Sequence, residues 1–235
     1  MHNNQKNNLH VGLLAAMPEE LGSILNNLEN IEEKKYGNLI LYSGSWLNKK
    51  GEEIIVTTAW SGWGKVSAAR ATTRLCGHTF KNKPLNLLLF TGVAGAVKKD
   101  LKQWDIILAN SVIQHDMDAR PIFEQYFIPN FNTDKISPRK KLKLEFLESL
   151  LEEKNKGNLE KFGNIYEGLI ATGDQFISNL KIIEKLEAKI PELMAVEMEG
   201  GSFAQVAEEE NIRWLLLRII SDNANDSAEN DFNYF

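Results

Sequence analysis

Three predominantly apolar runs, at residues 9–16, 85–90 and 214–220, constrain this chain most. A strand with one wet face alternates apolar and polar residues. A run without that alternation marks a strand buried on both faces, which requires helices above and below the sheet. Between the runs stand segments with helical spacing, at 65–76, 142–153, 180–189 and 201–211. Further strands are predicted at 38–45, 52–60, 104–112 and 166–171. Pro18 with Glu19 and Glu20 opens a helix predicted to end near Asn30. Residues 122–135, with two prolines, read as a loop. The alternation defines an α/β protein: a single three-layer α/β/α domain around a central twisted mixed, largely parallel sheet. No repeat, linker or composition break divides residues 9–235, and the polar start, residues 1–8, is expected to be a flexible tail.

The bulk numbers narrow the function classes. At 235 residues and 43% hydrophobic content the chain can build one sizeable core. A net charge of -5 and a pI near 5.5 argue against nucleic-acid binding, so the basic run at 139–143 reads as a solvated helix face. The single cysteine, Cys76, excludes an internal disulfide and points to a reducing cytosol. The start has no apolar signal region, and no run reaches the roughly 18 apolar residues of a membrane span. A soluble cytoplasmic protein, with no nucleic-acid or membrane partner, is expected.

In open α/β sheets, function collects at the carboxyl ends of the strands. Five segments at such positions are unusual here: Ala16-Met17-Pro18-Glu19-Glu20, Thr91-Gly92-Val93-Ala94-Gly95, Thr172-Gly173-Asp174-Gln175-Phe176-Ile177, Val196-Glu197-Met198-Glu199 and Arg218-Ile219-Ile220-Ser221-Asp222. Two carboxylates at a strand-to-helix junction are costly to bury without polar partners, and a ribose diol could supply them. Singly, each segment has a plainer explanation. Glu at a helix start satisfies the macrodipole, a strand-end Asp caps a helix, a buried Phe is core, and Arg218 forms a structural ion pair.

Together, and in this order, the segments resemble the 5′-methylthioadenosine/S-adenosylhomocysteine nucleosidases of the purine nucleoside phosphorylase and uridine phosphorylase superfamily. Gly12-Leu13-Leu14-Ala15-Ala16-Met17-Pro18-Glu19-Glu20 and Ser61-Gly62-Trp63-Gly64-Lys65-Val66 belong to the same match, which spans residues 9–222. The resemblance implies hydrolysis of an N-ribosidic bond to release adenine. Glu20 would activate water and Asp222 would protonate adenine N7, for which it must remain protonated in a water-poor setting. Glu199 would hold the ribose hydroxyls, Met198 would underlie the sugar, and Arg218 would orient Glu199 and the attacking water. Phe176 would stack on the base, the Ile177 backbone would read its edge, and Gly95, Ser221, Met17 and Trp63 would complete the walls. Ala119, Arg120 and Ile122 fall in the segment by which a partner subunit closes the 5′ pocket in the family, so a homodimer is implied. No cofactor is implied. His115, Asp116 and Asp118 have no second histidine cluster to complete a metal site, and no metal is expected.

Phosphorylases of this superfamily bind an anion where nucleosidases bind water. Here Glu20 occupies that place, and Phe90 and Val93 stand where phosphorylases carry arginine and serine. A carboxylate repels a phosphate dianion, which favours water as nucleophile. Trp63, Val93, Ala119, Arg120 and Ile122 depart from the family pattern around the sugar and the 5′ pocket. Two other readings therefore remain: a nucleosidase or phosphorylase for a different 5′-modified purine nucleoside, or a nucleoside-binding protein without turnover, against which Glu20 and Asp222 both argue. Arg120 is as consistent with a solvated loop arginine as with a partner for an anionic substrate group. The resemblance also implies a terminal helix covering the site, which the sequence ending at Phe235 is expected to lack, leaving a more open site.

Overall fold

The computed structural model describes residues 9–48, 51–224 and Ala228. The strands are β1 (His10–Ala15), β2 (Glu29–Tyr36), β3 (Leu39–Leu47), β4 (Glu53–Trp60), β5 (Thr79–Phe80), β6 (Lys83–Pro84), β7 (Leu87–Phe90), β8 (Val93–Ala96), β9 (Ile106–Gln114), β10 (Lys135–Ile136), β11 (Ile165–Thr172), β12 (Leu193–Glu197) and β13 (Arg213–Asp222). The helices are α1 (Lys65–Cys76), α2 (Lys140–Asn155), α3 (Leu180–Lys189) and α4 (Gly200–Glu209).

The main sheet runs β10-β9-β11-β12-β8-β13-β7-β1-β4-β3-β2. Parallel pairing joins β4, β1, β7 and β13 in one set, and β9, β11 and β12 in another. β13 links the sets: its first residues pair with β7, its middle with antiparallel β9, and its end with β8. The expected mixed α/β sheet is present, its antiparallel pairs lying in the β2-β3-β4 meander and around β8, β9 and β10.

The three apolar runs are buried as their patterns require: Leu14, Leu88, Phe90 and Leu216 are all fully inaccessible. One core cluster packs α1 and α4 against the sheet, and a second packs Ile183 and Leu186 of α3 against Ile113, Leu169 and Leu193. Phe203 of α4 meets Phe90 and Trp214 edge-on, with centroids at 5.1 Å and 6.1 Å. α2 buries no residue and is tied to β11 by the Lys143–Glu167 ion pair. Cys76 is half-buried at the end of α1, and burial pushes its thiol up to about 12, leaving an unreactive packing group.

Two local expectations are corrected. The helix predicted from Pro18 to Asn30 is instead two 3₁₀ turns, Pro18–Leu21 and Ile24–Asn27, followed by β2. Glu20 folds back to accept from the Ala16 and Met17 amides, and Gly22, at φ +55°, turns the chain out after four residues. β2 has no apolar alternation, and its charged, exposed residues form a strand because they pair with β3 at the sheet edge. The Thr91-Gly92-Val93-Ala94-Gly95 segment, placed by the sequence beyond a strand end, contributes its last residues to a further strand, β8. No helix among the described residues is long and apolar enough to cross a membrane. The expected tail at residues 1–8 and the expected loss of a terminal helix lie outside the described residues.

Candidate active site

Strand ends build one cleft, largely apolar with a few convergent polar groups, as small-molecule sites are. β1 delivers Ala16, Met17 and Glu20; β8 delivers Val93, Ala94 and Gly95; β12 delivers Val196, Glu197, Met198 and Glu199; β13 delivers Ser221 and Asp222. The turn before α1 adds Trp63, and the loop after β11 adds Gln175, Phe176 and Ile177. The structure thus gathers Glu20, Asp222, Glu199, Met198, Phe176, Ile177, Gly95, Ser221, Met17 and Trp63 around one space, as the sequence suggested.

Glu20 is fixed from three sides. Its Oε2 accepts from the Ala16 amide at 2.8 Å and the Met17 amide at 3.0 Å, and its Oε1 accepts from the Val93 amide at 3.1 Å. A Cβ on Gly92 would lie 2.8 Å from Glu20 Oε1 and 3.1 Å from Arg218 Nη1, so only glycine leaves room for both. At the other wall, Asp222 is buried at the end of β13. Its Oδ2 accepts from the Ser221 hydroxyl at 2.8 Å and its Oδ1 from the Ala224 amide at 2.7 Å. The register between β13 and β8 slips between Ile220 and Asp222, setting Asp222 opposite Gly95. Such an irregularity re-aims a side chain at a strand end.

Glu199 is buried at the start of α4 and accepts from the Gly64 amide at 2.8 Å. Burial pushes its carboxyl up to about 7, the neighbouring Glu197 charge adds to the rise, and Arg218 opposes it. Arg218, expected to orient Glu199, instead pairs with Glu197: its Nη2 and Nε reach Glu197 Oε2 at 2.6 Å and 3.2 Å. Fully buried, its guanidinium lies over the Phe90 ring, 4.3 Å from the centroid.

Glu197 had no role assigned from the sequence, yet it anchors the floor. It accepts from the Thr172 hydroxyl, the Glu199 amide at 3.1 Å and the Gly200 amide at 2.7 Å, as well as from Arg218. The available signal was its place in an apolar run beside a second carboxylate, which demands several donors. Gln175 and Val196 were also missed, and their types carry no distinctive chemistry.

Ala119, Arg120 and Ile122, which the resemblance assigns to a partner subunit's pocket, do not line this subunit's own cleft. Arg120 forks onto Asp118, with Nε–Oδ1 at 2.8 Å and Nη2–Oδ2 at 2.5 Å, and Ile122 is 80% exposed. Asp116 is engaged by Lys65 at 2.6 Å. The carboxylates first weighed as metal ligands are thus each held by a cation.

The chain belongs to the phosphorylase superfamily, whose family model matches residues 10–235. Within that superfamily the chain belongs to the 5′-methylthioadenosine/S-adenosylhomocysteine nucleosidase family. A nucleosidase of that name from Desulfotalea psychrophila is 35% identical over 224 residues, covering 95% of this chain and 88% of that protein. An S-adenosylhomocysteine nucleosidase from Streptococcus pyogenes, solved with 5-methylthiotubericidin, matches with a TM-score of 0.84 at 30% identity, covering 97% of this chain and 90% of its own. A futalosine hydrolase mutant from Helicobacter pylori matches with a TM-score of 0.79 at 31% identity, covering 97% and 91%.

Proposed function

We propose that this enzyme hydrolyses the N-ribosidic bond of 5′-methylthioadenosine and S-adenosylhomocysteine, releasing adenine. Glu20 takes the proton of the attacking water, and Asp222 gives or shares a proton at N7 of the leaving base. Glu199 accepts from the ribose hydroxyls, Met198 supports the sugar, and Phe176 covers the base. One observation carries this reading: carboxylates from opposite ends of the chain, Glu20 and Asp222, line a single cleft. The nucleophile is water, because among the described lining residues none is Lys, Arg or His. A phosphate dianion beside Glu20 would meet carboxylate repulsion, and the neighbouring cation, Arg218, is already paired with Glu197.

The deciding measurement is free-base release from methylthioadenosine, S-adenosylhomocysteine, adenosine and inosine, with and without phosphate. Adenine release independent of phosphate is expected, and a phosphate requirement overturns hydrolysis. Asp222→Asn in the same assay should lose about 10²–10⁴-fold in turnover, the usual worth of a general acid. A loss under tenfold would make Asp222 a positioning group.

A second reading, hydrolysis of a purine nucleoside with a different 5′ group, is favoured by Trp63, 55% exposed on the cleft wall, and by the relative named for futalosine. Trp63→Ile should re-rank 5′-substituted substrates without changing the choice of base. The protein is further proposed to act as a cytoplasmic homodimer. The single cysteine and the exposed Ile122 and Phe123 support this, and light scattering in solution tests the stoichiometry.

A further inference from the structure

The loop that carries Phe176 has little core to hold it. Residues 174–176 are exposed, and Ile177 is the first buried side chain after Gly173. Polar contacts tie the loop to its neighbours. Asp116, two residues beyond the end of β9, accepts from the Asp174 amide through Oδ2 at 3.0 Å. Its Oδ1 accepts from Lys65 Nζ at 2.6 Å. Asp174 closes the ring, its Oδ1 accepting from the Lys65 amide at 2.7 Å. Lys65 Nζ also reaches Gln114 Oε1 at 3.4 Å, which ties the start of α1 back to the end of β9.

Lys65 directly follows Gly64, whose amide holds Glu199, and Trp63, which lines the cleft. The same three side chains therefore fix both the loop over the base and the turn beside the sugar. His115 fills the space beneath, packed so closely on Gly173 that no Cβ would fit there. The pair is only partly exposed, with side chains 21% accessible for Lys65 and 33% for Asp116, so water weakens the pairing without abolishing it.

We propose that Asp116 is a positioning residue for nucleoside binding, clamping the Phe176 loop to the start of α1 through Lys65 and the Asp174 amide. The inference rests on the reading of this cleft as a nucleosidase site, and it adds a residue outside the cleft lining. Without the clamp, the Phe176 loop and the Gly64 donor must be ordered by the substrate at each binding event, which weakens binding more than chemistry. Glu20 and Asp222 sit on other elements and keep their contacts.

The test compares Asp116→Ala, Asp116→Asn and Lys65→Met with the wild type in steady-state base release. KM should rise at least about tenfold in Asp116→Ala while kcat changes less than about threefold. Asp116→Asn, which retains an acceptor for the Asp174 amide, should recover part of the loss. Lys65→Met with Asp116→Ala should cost no more than the worse single variant, because the two act as one unit. An unchanged KM, or a loss confined to kcat, overturns the proposal. Hydrogen exchange over residues 173–177 in the ligand-free proteins gives a readout independent of catalysis. Faster exchange in Asp116→Ala is expected; unchanged exchange overturns the clamp even if the wild type proves to act on another nucleoside. If exchange quickens while the wild type releases no base from any nucleoside, the clamp stands and the assigned reaction fails.

Discussion

At the residue scale, the site separates carboxylates by what surrounds them. Among the described residues Glu20 accepts only from backbone amides, and it faces the cleft, so its orientation is set before substrate arrives. Glu20→Gln keeps the shape and most of those acceptor bonds, but turns an amide donor toward the Val93 amide and removes the base. Turnover should fall about 10²–10⁴-fold with nucleoside binding preserved. Near wild-type turnover would overturn the assignment. Glu199 is different: burial and Glu197 raise its carboxyl to about 7, so near neutrality it is only partly ionised. A carboxylate accepts from both ribose hydroxyls, whereas the protonated form places a donor against one of them. The kcat/KM of the free enzyme should therefore rise with pH through about 7. That limb should vanish in Glu199→Gln, and its survival there would assign the titration to another group.

At the element scale, Gly64 shows how one backbone position serves both fold and site. Its φ of +88° lies in a region that L residues rarely adopt, and a Cβ there would lie 2.9 Å from Asp174 Oδ1. Gly64→Ala should destabilise the protein by about 1–3 kcal/mol, and KM should rise because the amide leaves Glu199. Denaturant unfolding together with KM checks both parts; loss of stability alone would separate the turn from the site. The sequence made such positions readable where side-chain type and strand end coincided. The buried strands, α1 and α3 were legible because their apolar spacing serves a core. β2 was not, since a charged edge strand owes its form to pairing with β3. The Pro18–Leu21 turn was misread as a longer helix because Glu20 serves the cleft rather than a helix N-terminus. Glu197 stayed hidden in its motif because its role is to receive Arg218 and Thr172, which lie elsewhere in the sequence.

At the scale of the whole molecule, a polar chain is buried away from the cleft lining, between β1, β3 and β4. The Lys83 carbonyl lies 3.0 Å from His10 Nδ1, His10 Nε2 is 2.8 Å from Thr57 Oγ1, Thr57 is 2.8 Å from Ser43 Oγ, and Ser43 is 2.9 Å from His78 Nε2. The carbonyl can only accept, so His10 Nδ1 carries the proton. Donation then runs from His78 Nε2–H through Ser43 and Thr57 to His10 Nε2, leaving both imidazoles neutral. His78 Nδ1 is buried with no partner among the described residues. Burial lowers both histidines, His78 to about 4, and His10 and Lys34 lower His78 further. A histidine depressed below its unfolded value of 6.5 contributes stability that is present above 6.5 and lost as pH falls toward about 4. For His78 the full loss across that window is up to about 3 kcal/mol, at about 1.4 kcal/mol per unit. Urea unfolding at pH 7.5 and pH 5, which spans only the upper part of that window, should show a loss of up to about 2 kcal/mol in the wild type. It should shrink in His78→Gln, whose amide still donates to Ser43 but does not titrate. An equal pH dependence in the two proteins would show that the acid sensitivity arises elsewhere, and that the buried chain is held by packing rather than by neutral histidines.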